Sequence, residues 1–271
     1  MRKTRTISIS SGKGGVGKTS IVCNLALALQ DLGKRVLILD GDWGMANVDI
    51  MFGKRSKYSL IDLLRDDITI EDVLERMDQK IYLIPGGNAL PELLNLNLYE
   101  RKFIFDQVSE LNGVFDYLII DTAPGIDENV RFLNAAAEES YFVLTPEPAS
   151  LTDTYSLIKV MNQVQKEVSF NIVCNEVSNA EAGLSLFKRL AGVCDKFLNV
   201  NLNYFGSIDR DFDLAQSTCN QKLVLREKPD SKSAQDILQL ADNISDYNGL
   251  SNISGNIKIF FESYVDRQLS I

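Results

Sequence analysis

The segment Gly12-Lys13-Gly14-Gly15-Val16-Gly17-Lys18-Thr19 gathers the groups that grip a polyphosphate. Its glycines let successive backbone N–H groups point inward at phosphate oxygens, and a helix starting near Lys18 adds the positive end of its dipole. The spacing G-x-x-x-x-G-K-[ST] gives Lys18 to the β- and γ-phosphates and the Thr19 hydroxyl to Mg²⁺. The expected nucleotide contacts are therefore Gly12 through Thr19 and the adjoining Ser20. A glycine-rich turn without a ligand is the competing reading; a strand before the loop and a helix after it speak against that. Lys13 is an extra lysine that the spacing does not demand. It is either a solvated side chain or a lysine that crosses to the partner's nucleotide in a face-to-face dimer, stabilising transition-state charge there.

Aspartates follow two predicted strands. Arg35–Leu39 runs into Asp40-Gly41-Asp42, and Tyr117–Ile120 runs into Asp121-Thr122-Ala123-Pro124-Gly125. Carboxylates at neighbouring strand ends, facing a phosphate loop, suit a magnesium–phosphate site. The alternative is that they only cap the turns or helices that follow. The chain contains no histidine. That excludes Ser-His-Asp and Cys-His catalysis, imidazole-based zinc sites and a histidine proton switch. A carboxylate is then the natural group to orient an attacking water.

The elements that must position these groups alternate. Strands are expected at Thr6–Ser10, Arg35–Leu39, Ile81–Ile84, Tyr117–Asp121, Tyr141–Thr145, Ile172–Asn175 and Tyr204–Ile208. Helical patterns are clearest at Lys18–Leu32, Leu98–Leu111, Leu151–Val168 and Ala180–Leu198. Short apolar strands separated by helices predict an α/β fold, a mostly parallel twisted sheet with helices on both faces. Ligands bind such sheets at the carboxyl ends of the strands, where the motifs fall. The polar stretch Ser245–Asn256 reads as a linker. The expected division is a nucleotide-binding domain over 1–244, a linker over 245–256 and an amphipathic helix over 257–271.

The chain has 271 residues and a net charge of −9, a surface that repels bare nucleic acid. Cys23, Cys174, Cys194 and Cys219 form no C-x-x-C pair, so no zinc knuckle or dithiol redox site is expected. With no apolar run of about 18 residues and no signal peptide in view, the expected setting is cytoplasmic, with reduced thiols.

The loop K-G-G-V-G-K-T, with its extra Lys13, resembles the deviant Walker A of the ParA/MinD ATPases, P-loop NTPases of this architecture. The resemblance covers nearly the whole chain. It implies slow hydrolysis of ATP with Mg²⁺ and dimerisation when ATP is bound. It makes Asp42 the residue that orients water, Asp121 the Walker B carboxylate holding Mg²⁺ through water, and Asp40 a group just outside the metal's own ligands or a contact to the magnesium waters. Lys13 and Lys18 join Asp42 as the catalytic set. An N-K-x-D guanine motif is absent, and similar proteins use an asparagine at the position of Asn175 to hydrogen-bond adenine; a turn asparagine is the other reading. Gly206-Ser207-Ile208-Asp209-Arg210 resembles the loop that closes over the base, which brings in Asp209.

Within that family, Gly44–Gly53, Glu147–Lys159, Phe197–Gly206 and Ile259–Glu262 resemble the flagellar-number regulators of the FlhG/FleN type. Gly41 and Trp43 depart from that pattern. The first strand starts at Thr6, leaving no room for the N-terminal extension associated with stimulating the GTPase FlhF. The partners implied are an FlhF-type GTPase, a flagellar master transcription activator and a second copy of the chain, with no direct nucleic acid. A division- or partition-type positioning ATPase and a metal-cluster carrier are alternatives; the latter lacks the paired cysteines it would need.

On a helical wheel Ile257, Phe260, Phe261, Tyr264 and Val265 share one face. This implies either a helix that lies reversibly on the inner face of the cell membrane or one docked on its own domain. Lys258 and Arg267 cancel Glu262 and Asp266, so lipid binding would rest on apolar burial, marginal for one helix and strengthened when two are held in a dimer.

Overall fold

The computed structural model describes residues 3–44, 46–87 and 96–247. The predicted amphipathic helix, with Ile257, Phe260, Phe261, Tyr264 and Val265, lies outside them. Strands β1 (Arg5–Ser10), β2 (Val36–Gly41), β3 (Glu75–Arg76), β4 (Ile81–Ile84), β5 (Tyr117–Thr122), β6 (Glu139–Leu144), β7 (Ser169–Val177) and β8 (Asn201–Asp209) form one sheet in the order β3-β4-β2-β5-β1-β6-β7-β8. The pairings are parallel except that of β3 with β4. The two-residue β3 has too short a pattern to be read from sequence.

The central strands are buried on both faces, and the side-chain alternation divides each between two layers. Val36 and Ile38 of β2 join one core with Ile7, Ile9 and Ile119, packed under helix α1 (Lys18–Asp31). Leu37 and Leu39 join the opposite core with Leu118 and Ile120. There they meet α4 (Leu98–Ser109) and α5 (Glu128–Ala136), which follow the single-turn helices α2 (Val48–Met51) and α3 (Ile70–Val73) in the chain. Beyond β1, Phe142, Leu144 and Ile172 pack under α6 (Pro148–Val160) and α7 (Ala180–Phe197). Each large side chain so buried contributes about 1.5–3 kcal/mol.

Helix α6 ends in a π turn over Met161–Gln165, and Lys166 follows with φ 62°. The helix read as continuous to Val168 is thus broken earlier, by a wider turn and a left-handed residue. Helices α8 (Phe212–Cys219), α9 (Val224–Glu227) and α10 (Lys232–Asp246) complete the α1 face. α10 runs to Asp246, past the boundary read at 244/245, because Ile244 is fully buried and keeps the last turn packed. Near that turn Arg5 donates to both oxygens of Glu139, at 2.6 and 2.8 Å, and to the Ile244 carbonyl. The end of α10 therefore lies over the start of β1, away from the strand ends that carry the motifs.

Candidate functional site

The phosphate loop leaves β1 and enters α1. Gly15 and Gly17 have φ of 76° and 87°, left-handed values that a side chain would strain. Gly17 also sits so close to Asn175 that a Cβ would lie 2.7 Å from its Nδ2. At Gly12 a Cβ would come within 2.2 Å of the Asp153 backbone on α6. The glycines therefore serve close approach of neighbouring elements as well as an inward-pointing backbone. From the other side the N–H of Gly125, in the loop after β5, donates to the Ser11 carbonyl at 3.0 Å.

Lys18 is 8% exposed, and burial pulls its pKa down while Asp121 and Asp42 oppose that shift. Asp121 is 1% exposed and hydrogen-bonded to Thr19. Burial pushes its pKa up to about 6 against the pull of Lys18 and Thr19, and Asp42 adds repulsion. Its Oδ1 is buried without a hydrogen-bond partner. Lys18, Thr19, Asp42 and Asp121 thus come together at the mouth of the loop.

The other predicted residues divide by what they touch. Asp40 pairs in register with Asp121 on the neighbouring strand, yet its carboxylate holds the following loop. Its Oδ1 accepts the N–H of Asp42 at 3.1 Å, and its Oδ2 accepts those of Asn47 and Val48 at 3.1 and 3.2 Å. Ser20 shares a hydrogen bond of 3.0 Å with Thr218, tying α1 to α8. Asn175 donates to the Val16 carbonyl at 2.8 Å, and its Oδ1 is buried without a partner. Asp209 faces α10: its N–H donates to Asp236, and its carboxylate lies 4.0 Å from Lys232. Lys13 pairs with Glu147, which immediately precedes α6.

The contacts of three contributors were not readable from the sequence. Glu147 was read only as the first residue of the Glu147–Lys159 resemblance, with no link to Lys13. The buried set Ser8, Ser10, Thr122 and Asn134 binds β1, β5 and α5, with Asn134 Oδ1 accepting Ser8 and Ser10 at 2.8 and 2.9 Å and Ser10 reaching Thr122 at 2.7 Å. The small hydroxyls in apolar strands were the available signal. Trp43 is 1% exposed, and its Cδ1 lies 3.2 Å from where a Cβ on Gly86 would sit. Gly41 has no room for a side chain, since a Cβ would lie 2.9 Å from the Asp121 carbonyl. Packing thus accounts for both unusual residues of this loop.

Among the described residues no cluster of three or more His, Cys, Asp or Glu can hold a metal ion. Magnesium fits this donor set differently. One hydroxyl, Thr19, and the unpartnered oxygen of Asp121 can supply contacts, and bound phosphates and water must complete an octahedral shell. No helix among the described residues is long and apolar enough to cross a membrane.

The family model described as an AAA domain matches residues 4–174. The antiactivator FleN of Pseudomonas aeruginosa is 33% identical over 98% of this chain and 95% of its own length. The flagellum site-determining protein YlxH of Helicobacter pylori is 30% identical over 88% of this chain and 81% of its own length. The septum site-determining protein MinD of Pyrococcus horikoshii, solved with Mg-ADP, superposes with a TM-score of 0.72 at 27% identity, covering 91% of this chain and 98% of that one. The chain belongs to the ParA/MinD family of deviant Walker A ATPases, on the side of the flagellar-number regulators. The fold expected from sequence is the one found, and the family expected from the loop and the flanking motifs is the one matched.

Proposed function

We propose that this protein is an ATP-dependent dimerising switch that regulates the number or placement of flagella and hydrolyses ATP slowly with Mg²⁺. The observation that carries the reading is the group at the loop mouth: Lys18 and Thr19 beside a buried Asp121 whose Oδ1 has no partner. In this reading Lys18 neutralises the β- and γ-phosphates, Thr19 and Asp121 hold Mg²⁺, and Asp42 orients the attacking water. The bound magnesium supplies charge neutralisation of the phosphoryl group. The unpartnered Oδ1 of Asn175 accepts the amino group of adenine, and the amide holds its place through Val16. Lys13 leaves Glu147 to reach the nucleotide of the facing copy.

The output is a conformational state. The similarity to FleN, an antiactivator, supports restraint of a transcription activator, and that to YlxH, a flagellum site-determining protein, supports an action on flagellar position. Peripheral membrane contact through residues 257–271, with docking in the monomer and release in the dimer, belongs to the same proposal. So does an FlhF-type GTPase as partner. Net charge −9 favours these protein partners over DNA.

Lys18→Ala tests the core of the reading. Calorimetric titration with ATP and Mg²⁺ should show binding to the wild type and none to the variant. Retention of wild-type affinity by Lys18→Ala would remove the phosphate assignment.

A further inference from the structure

A second cleft opens at the same end of the sheet, on the α6–α7 side. It holds about 370 Å³ and lies between Pro146 after β6, Glu176 at the end of β7, Arg210 after β8, and Ala182, Leu186 and Arg189 on one face of α7. The spacing of Ala182, Leu186 and Arg189 repeats every helical turn, so α7 presents a continuous wall with an apolar floor and a cationic lip.

Both guanidiniums are exposed, and neither has an ion pair or side-chain hydrogen bond with a described residue. Of the other arginines, Arg5 pairs with Glu139, Arg65 with Asp67, Arg101 with Glu128 and Arg226 with Asp78, while Arg76 and Arg131 donate to backbone carbonyls. What sets this site apart is convergence: two guanidiniums without a carboxylate partner line one cleft, where a single ligand can meet both. Planar, forked donors of this kind bind carboxylates in pairs of hydrogen bonds.

We infer that this cleft docks a short acidic segment of a protein partner, its carboxylates on Arg189 and Arg210 and an adjacent apolar side chain on Leu186 and Ala182. Charge complementarity selects the occupant. Glu176 places a carboxylate of the protein's own in the cleft, which opposes the dense charge of a nucleic-acid backbone and leaves room for one or two acidic side chains beside apolar ones.

The cleft has direct covalent access to the nucleotide loops. Pro146 adjoins Glu147, the partner of Lys13. Glu176 adjoins Asn175, which holds the Val16 carbonyl, and is itself kept at φ 56°. An occupant touching Pro146 and Glu176 therefore touches the residues next to both contacts. This coupling rests on the nucleotide reading above; docking itself does not, and the experiment measures docking without nucleotide.

A display library of random peptides selected on the nucleotide-free full chain should enrich peptides with Asp or Glu next to Leu, Ile or Val. The best peptide, synthesised with a fluorophore, should bind the wild type and lose about tenfold in affinity for each guanidinium removed in Arg189→Gln and Arg210→Gln. Its Asn/Gln counterpart should bind as weakly as the double variant does. Both positions are exposed, and unchanged thermal melting checks that the variants fold. Selection without acidic enrichment, equal binding by the double variant, or stronger competition by single-stranded DNA than by acidic peptide would each overturn the proposal.

Discussion

Asp40 and Asp121 stand opposite one another on neighbouring parallel strands, 2% and 1% exposed. One carboxylate is spent on three backbone N–H groups of the loop that follows it. The other keeps an oxygen unpartnered beside Lys18 and Thr19. Sheet register delivers equivalent groups to the end of the sheet, and the loops after the strands decide which carboxylate meets backbone N–H groups and which keeps an unpartnered oxygen. The two lysines of the phosphate loop divide in the same way. Lys18 is buried by the open carboxylate, and Lys13 is half-exposed and committed to Glu147.

Activity should separate the two aspartates most. Asp121→Ala should lower Mg²⁺-dependent ATP hydrolysis by about 10²–10³-fold, the usual loss when a group stabilising transition-state charge is removed. Asp40→Ala should lower it less, because its carboxylate acts through the loop carrying Asp42. Phosphate release measured under saturating ATP and Mg²⁺ checks both. An equal or greater loss for Asp40→Ala would place Asp40 at the metal after all.

Stability should reverse the order. Asp40→Ala strips three backbone donors of their acceptor in a buried setting and should cost about 2–4 kcal/mol. Asp121→Asn keeps shape and removes a buried charge, so its urea midpoint should match or exceed that of the wild type. Chemical denaturation without nucleotide distinguishes the two outcomes.

The strands and both aspartates were legible because apolar β-branched runs end at each carboxylate. The difference in their contacts was not. It depends on where the N–H groups of Asn47 and Val48 arrive after the chain turns, a matter of loop geometry rather than residue type. The pairing of Lys13 with Glu147 was equally hidden, since it joins residues 134 positions apart. Lys18 and Thr19 were readable for the opposite reason: their partners are fixed by local spacing in one loop.

Proton linkage sharpens the pair further. Burial raises both carboxylates, Asp121 to about 6 from an ordinary 3.8, and their mutual repulsion adds to it in Asp40. A raised acid is protonated in the folded chain while already ionised in the unfolded one between those two pH values. Unfolding then releases a proton, so stability should fall as pH rises through this window and be insensitive to this group below it. Asp121→Asn should flatten the slope. Melting temperatures across that window, in EDTA and without nucleotide, provide the check; an unchanged slope would mean that Asp121 is not raised.

The smallest expected effect concerns Lys13. Its pair with Glu147 is a surface contact, with the two side chains 35% and 58% exposed, and such pairs are worth about 0.2–1 kcal/mol. If Lys13 must leave Glu147 before it can reach a facing nucleotide, that energy opposes dimerisation. Glu147→Gln should then lower the ATP concentration for half-maximal dimer by about two- to fivefold. Sedimentation velocity across an ATP series measures it. A weaker dimer would give Glu147 the opposite part: a contact made across the interface in the dimer, with the pairing to Lys13 a feature of the nucleotide-free chain alone.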